Sequence, residues 1–112
     1  MTGPGSGNSA GNAIGIIETR GVVALTAGIE AMMKTADVQT IAVERISSGY
    51  LAAAVRGSLA AVRQAVAAGS KAVEEYGELR AAQVYPKPHE HSAALLANGT
   101  SERLARAIEA AP

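Results

Sequence analysis

Residues 13–36 read AIGIIETRGVVALTAGIEAMMKTA, which is a β-branched run, an Arg-Gly turn and an Ala-rich stretch in succession. Residues 13–19 predict a strand, and residues 22–36 predict a helix because apolar residues recur at helical spacing. The glycine between them lets the chain turn tightly and start the helix close to the strand. The predicted buried stripe of the helix consists of Val22, Leu25, Ile29 and Met32 or Met33.

A second Arg-Gly pair, Arg56-Gly57, again ends a predicted strand and opens a predicted helix. Residues 38–46 and 50–56 predict two strands joined by a short turn, Ser47-Ser48-Gly49. Ser58 is the expected N-cap of the second helix, and Gly77 is expected to end it as a left-handed C-terminal glycine. Its predicted buried face comprises Leu59, Val62, Val66, Gly69 and Val73.

Residues 78–85 predict a fourth strand, and residues 89–97 and 101–110 predict two short helices. The order β-α-β-β-α-β indicates an α/β (α+β) ferredoxin-like fold: a four-stranded antiparallel sheet with two helices on one face, plus short C-terminal helices. The other face must be covered by the C-terminal segment, a partner chain or solvent. We expect a disordered Gly/Ser/Asn-rich tail over residues 1–12, a domain over 13–97 and a helical extension over 98–112.

The overall charge of the chain excludes several classes of partner. The 112 residues include 10 Lys+Arg and 10 Asp+Glu, which gives a formal net charge of zero. This balance argues against nucleic-acid and membrane partners and removes the self-repulsion that keeps many proteins apart. The chain has no Cys, so disulfides and thiolate metal sites are excluded. No signal-peptide pattern or run of about 20 apolar residues occurs, and a cytoplasmic location is expected.

Four motifs in order are similar to one family. They are residues 14–21 (IGIIETRG), 33–38 (MKTADV), 44–57 (ERISSG and a strand ending VRG) and 84–89 (VYPKPH). With them the chain resembles, over about residues 13–96, the single-domain, hexamer-forming shell proteins of bacterial microcompartments, which carry the BMC domain. Each motif alone is weak, but four in order with the predicted fold are specific.

The resemblance implies a structural protein without cofactor or catalytic site. Homohexamers would tile into sheets with other shell proteins around encapsulated enzymes, in the bacterial cytoplasm. A central pore would pass small polar metabolites. By position, the pore residues would be Ile46, Ser47, Ser48 and Gly49, and the hexamer–hexamer edge residues would be Lys34, Lys87, Pro88 and His89.

The chain departs from the family pattern at the pore and at the edge. Ser47 stands where the family commonly has Gly, so a narrower or differently shaped rim is expected. Lys87 stands where many members have Arg. Lysine keeps the charge but lacks the planar five-donor fork of arginine, so a weaker edge contact is expected.

Other interpretations are open to comparison. One is a ferredoxin-like regulatory oligomer that binds a small ligand between subunits, for which the Ser-Ser-Gly turn is too short to cradle a phosphate. A small enzyme would have Glu18 as a lone carboxylate, without an acid or base partner at matching spacing. His89 and His91 with Glu90 lack a third placed metal ligand. Lys34 could simply complement the helix dipole.

The sequence also leaves two possible docking places for the predicted C-terminal helix. It could dock on an encapsulated enzyme or on its own sheet, and the sequence does not separate these.

Overall fold

The computed structural model describes residues 11–86 and 100–111. Within them the predicted elements are found, with ends that differ by at most one residue from the predicted ones. The predicted helix at 89–97 and most of the predicted tail lie outside the described residues. The strands are β1 Ala13–Arg20, β2 Val38–Ser47, β3 Tyr50–Gly57 and β4 Glu78–Tyr85; the helices are α1 Val22–Thr35, α2 Leu59–Tyr76 and α3 Glu102–Ala110.

The four strands form one sheet in the order β2-β3-β1-β4, and every neighbouring pair is antiparallel. This confirms the ferredoxin-like arrangement. Side chains alternate between the two faces of a strand. Ile17, Ala53 and Val55 therefore point into the core under α1 and α2, whereas Ile14 and Ile16 point to the opposite face.

Helices α1 and α2 approach closely because glycines face each other where they pack. A Cβ on Gly28 would lie 2.7 Å from Ile17 Cδ1 and 2.7 Å from Val73 Cγ2, and one on Gly69 would lie 2.7 Å from Met32 Cγ. No side chain fits at either position without displacing a neighbour. The helical layer is therefore held tightly against the sheet.

The ends of α2 follow different physical rules. Ser58 caps its start as predicted, since its hydroxyl accepts a hydrogen bond of 3.1 Å from the Ala61 backbone N–H. Gly77 does end the helix, but its φ of 175° is extended, and the predicted left-handed cap is wrong. A Cβ at Gly77 would lie 2.9 Å from the Ala24 Cβ, so lack of space favours glycine here.

The buried face of α1 also differs from the prediction at its first residue. Val22 is 63% exposed, and Met32 rather than Met33 enters the core. The residues of α1 that are buried are Ala24, Leu25, Gly28 and Met32. The stripe thus begins one residue beyond Val23, and both valines of the first turn lie at the surface. The predicted face of α2 is confirmed at Val62, Val66, Gly69 and Val73.

The second face of the sheet is covered in part by α3. Ser101 caps this helix by accepting a hydrogen bond of 3.1 Å from the Leu104 backbone N–H. Arg103 Nε lies 3.6 Å from Glu44 Oε1 and joins the helix to β2. The buried residues of α3, which are Leu104, Ala105 and Ile108, pack against the apolar part of that face. The sheet residues in this cluster are Ile14, Ile16, Ala42, Ala52, Ala54 and Tyr85. The helix therefore lies on its own sheet. No described helix is long and apolar enough to cross a membrane.

We predict that Leu104→Ala lowers the free energy of unfolding by about 2–5 kcal/mol, because it leaves a cavity in a fully buried position. Glu109→Ala, at an exposed position of the same helix, should change it by no more than about 0.5 kcal/mol. Urea denaturation followed by circular dichroism measures both. If Leu104→Ala lowers the free energy of unfolding no more than Glu109→Ala does, packing of α3 does not stabilise the sheet.

Candidate functional site

The turn between β2 and β3 is a tight hairpin at the surface. Ser47 pairs with Tyr50 across it, and the two residues between them have positive φ, 51° at Ser48 and 83° at Gly49. Two positive φ angles are typical of a type I′ turn, whose twist matches that of the flanking strands. Ser48 is the only described residue other than glycine with a positive φ. The turn therefore holds one serine in a conformation that disfavours a Cβ.

Of the four predicted pore residues, three form the exposed tip. Ser47, Ser48 and Gly49 are exposed, whereas Ile46 is half-buried and packs at the margin of the cluster under α3. The structure thus brings the four residues together in one hairpin, and Ile46 anchors it. We call Ser47, Ser48 and Gly49 the hairpin tip.

The hairpin tip is tied to the start of α1. The Gly21 backbone N–H donates a hydrogen bond of 3.1 Å to the Gly49 carbonyl oxygen. Gly21 has a φ of 89°, a conformation that glycine adopts without strain. The Arg20-Gly21 motif and the hairpin tip, which are far apart in sequence, therefore lie side by side.

A cluster of charged side chains surrounds Tyr50 beside the tip. Arg20 pairs with both Tyr50 and Glu78 across the sheet. The Tyr50 hydroxyl donates to Glu78 Oε2 at 3.3 Å, and Arg20 Nη1 lies 4.0 Å from Glu78 Oε1. Arg80 Nε lies 3.8 Å from Glu18 Oε1. The sequence did not reveal this cluster, because its members come from three strands.

Glu18, the carboxylate weighed as a catalytic group, is buried and paired with Arg80. Burial raises the pKa of its carboxyl above the ordinary value of 4.5, and the positive charge of Arg80 opposes part of that rise. A buried carboxylate with an arginine partner at a strand end is typical of a structural role. Among the described residues no group of three or more His, Cys, Asp or Glu is arranged to hold a metal ion.

The predicted edge residues are described only at Lys34. It is exposed, in the last turn of α1, at the opposite end of that helix from Gly21 and the hairpin tip. Lys34 lies twelve residue steps along the helix from Val22, a rise of about 18 Å. Lys87, Pro88 and His89 lie outside the described residues.

An exposed apolar patch beside the tip was not predicted. Val22, Val23 and Tyr76 form it, and together with Thr26, Ala27 and Glu30 they line a groove of about 330 Å³. A second hollow of about 200 Å³ adjoins it and reaches the tip; it is lined by Gly21, Val22, Arg45, Gly49 and Leu51. Val23 was the available signal, since the predicted buried stripe left this apolar residue off the core-facing side of the helix. We call Val22, Val23 and Tyr76 the apolar patch.

We predict that Ser48→Val lowers the free energy of unfolding by about 1–2 kcal/mol, because a β-branched residue resists a positive φ. Ser47→Val is the matched control. That position belongs to β2, where β-branched residues fit, and the change should stay within about 0.5 kcal/mol. Chemical denaturation measures both, and equal losses would contradict the left-handed conformation at Ser48.

We also predict that the wild type gains stability relative to Glu18→Gln as the pH falls from 7. The raised pKa means that the folded state binds this proton more readily than the unfolded state. Protonation relieves the cost of a buried charge, and the relief is complete only below the ordinary pKa of 4.5. Denaturation curves at several pH values measure the difference. A relative loss of wild-type stability on acidification would mean that the Arg80 ion pair outweighs burial.

Comparisons with known proteins identify the family to which this chain is similar. Residues 13–88 match the family model described as BMC domain. The bacterial microcompartment shell protein PduA of Salmonella typhimurium is 38% identical over 90 residues, which cover 80% of this chain and 96% of PduA. The shell protein EutM of Escherichia coli K12 is 46% identical over 77 residues, 69% of this chain and 79% of EutM.

A carboxysome protein and a solved structure extend the comparison. The carboxysome shell protein CsoS1C of Hydrogenovibrio crunogenus is 41% identical over 92 residues, 81% of this chain and 90% of CsoS1C. A crystal structure of a microcompartment protein from Desulfitobacterium hafniense shares the fold, with a TM-score of 0.64 at 22% identity. The match covers 82% of this chain and 50% of that one. The predicted family, and with it the location in a microcompartment shell, is confirmed: the chain belongs to the BMC-domain family of bacterial microcompartment shell proteins.

Proposed function

We propose that this chain forms cyclic hexamers whose hairpin tips surround a central pore, with Ile46 anchoring each tip. The hexamers join edge to edge through Lys34, Lys87, Pro88 and His89 into a flat shell layer. The observation that carries the proposal is the apolar patch, which lies uncovered at the same end of the subunit as the exposed hairpin tip.

The shape of the subunit supports this arrangement. The hairpin tip and Lys34 lie near opposite ends of α1, because Gly21 bonds to Gly49 at the first end. In a ring with the tips at its centre, the far ends of the subunits form the rim. Charged side chains at the rim are then free to meet another hexamer.

The apolar patch supports contact between copies near the centre. Contiguous exposed apolar side chains rimmed by polar residues are typical of protein–protein contacts. Val22 lines both hollows, so the patch continues to the hairpin tip itself. A ring joins two different surfaces of each subunit and closes on itself, so every copy covers the patch of its neighbour in the same way.

The hairpin tips determine what such a pore passes. Ser47 and Ser48 are exposed, and among the described residues no hydrogen bond uses either hydroxyl. Six tips give a polar, uncharged ring that suits small polar metabolites and disfavours apolar ones. The side chain of Ser47 narrows that ring relative to a glycine.

The wider assembly follows from the same role. We propose that residues 13–97 form the shell domain with residues 98–112 as an extension, and that other shell proteins meet its edges. Catalysis belongs to the encapsulated enzymes, since Glu18 is occupied by Arg80. The competing regulatory role is disfavoured because a turn with two central residues offers no cradle for a phosphate.

Electron microscopy of the purified protein tests the proposal. We predict hexagonal sheets, tubes or discs with a hole at each six-fold centre. Lys34→Asp should abolish the sheets, because it reverses a charge at the rim, while hexamers persist in native mass spectrometry.

The matched control is Lys71→Asp, which makes the same charge change at an exposed position of α2 outside the proposed edge. Its sheets should match those of the wild type. A wild-type protein that stays monomeric at high concentration would refute the hexamer. Sheets formed equally well by Lys34→Asp would refute the edge.

A further inference from the structure

Two arginines lie close to the ring of Tyr50, directly after the hairpin tip. It follows Gly49 and is the first residue of β3. The guanidinium carbon of Arg80 lies 4.8 Å from the centre of its ring, and that of Arg20 lies 5.3 Å from it. Both distances are within the roughly 6 Å over which a cation attracts an aromatic ring. The ring therefore has a cation from each of two different strands.

A β-bulge brings the second arginine into place. The register of β1 and β4 shifts after Glu18: Glu18 pairs with Ala81, but the next residue, Thr19, pairs with Leu79. Arg80 is the extra residue of the bulge and has no partner in the register. A bulge re-aims a side chain relative to the regular alternation. The Arg80 guanidinium thereby reaches both Glu18 and the Tyr50 ring.

Carboxylates hold each arginine in position. Glu18 is buried and lies 3.8 Å from Arg80, so an ion pair draws that guanidinium toward the sheet. Glu78 lies 4.0 Å from Arg20 and also accepts the hydrogen bond from the Tyr50 hydroxyl. The ring thus has two guanidinium groups within about 6 Å of its centre, and its hydroxyl donates to a carboxylate. We call Arg20, Tyr50 and Arg80 the clamp.

The hairpin tip has no comparable side-chain restraint of its own. Among the described residues the hydroxyls of Ser47 and Ser48 form no hydrogen bond, and a Cβ on Gly49 would meet nothing within 4 Å. The tip is instead fixed by the backbone hydrogen bond from Gly21 to Gly49 and by Tyr50, the residue directly after the tip.

We infer that Tyr50 is the positioning residue of the hairpin tip: the clamp fixes the strand that leaves the tip and thereby the direction in which Ser48 points. As a statement about a pore, this inference rests on the proposed function. As a statement about the tip, it concerns a single subunit and can be tested there.

A spin label at the tip provides the test. The chain has no Cys, so Ser48→Cys gives one attachment site for a nitroxide. We expect Tyr50→Leu, which removes the ring, to shorten the rotational correlation time of the label about twofold or more. Tyr50→Phe keeps the ring beside the arginines and should restore most of the wild-type spectrum. Labelled chains are diluted with excess unlabelled chains so that labels in one assembly do not interact.

Arginine variants test the clamp from its exposed side. Arg80→Gln should also mobilise the label, whereas Arg63→Gln, at an exposed arginine of α2 outside the cluster, should not. If Tyr50→Leu does not fold, the double variant of Arg20→Gln and Arg80→Gln removes both cations and leaves the tyrosine. The inference is overturned if the mobility of the label is unchanged in Arg80→Gln and also in Tyr50→Leu or, where that does not fold, in the double variant. It is also overturned if the spectrum of Tyr50→Phe is identical to that of Tyr50→Leu.

The two proposals fail separately. If Tyr50→Leu and Arg80→Gln mobilise the label but the protein forms no hexamers, the clamp is supported and the pore proposal is rejected. Hexamers with a label that is indifferent to Tyr50 would keep the pore proposal and reject the clamp.

Discussion

The two central strands, β1 and β3, are buried on both of their faces, and the rest of the subunit is arranged around that requirement. Ile14, Ile16 and Ile17 are at most 1% exposed, and so are residues 52–55. Helices α1 and α2 cover one face, but α3 is only nine residues long and covers just the apolar part of the other. Among the described residues, the side chains of Arg20, Tyr50 and Arg80 lie on the half of this face next to the hairpin tip.

The small residues of β3 make both covers possible. Ala52 and Ala54 leave room for α3 to lie close to the sheet over its apolar half. Toward the tip, the guanidinium groups of Arg20 and Arg80 lie near the Tyr50 ring instead, and both side chains are about half exposed. Glu18 is buried beneath this layer and keeps an arginine partner, as a buried carboxylate requires. Closing the second face and restraining the hairpin are thus achieved by the same side chains.

Features that depend on local sequence were predictable. The Arg-Gly turns, the Ser58 cap and the Ser47-Ser48-Gly49 turn each act within a few residues, so the elements were found within one residue of their predicted ends. Val22 was misassigned because periodicity identifies a stripe without showing where the sheet beneath it ends. Gly77 was misassigned because crowding against Ala24, which involves another helix, has no local signal.

The site was predictable only in part, for the same reason. The position of the hairpin follows from two strands and a turn, and the family resemblance assigned it a role. The clamp depends on the β1–β4 register and on a bulge at Arg80, which no periodicity reveals. The apolar patch likewise forms from α1 and the end of α2, which meet only in the folded chain.

The conformation of Ser48 bears on where its side chain acts. An L-residue in the left-handed region carries a cost of about 1–2 kcal/mol that glycine avoids. Within the described residues its hydroxyl makes no hydrogen bond, and the side chain is exposed. The isolated subunit therefore gains nothing from a serine at this position and loses some stability by having one. A strained residue at an exposed tip, with a hydroxyl that makes no hydrogen bond among the described residues, supports the proposed role of the tip between subunits.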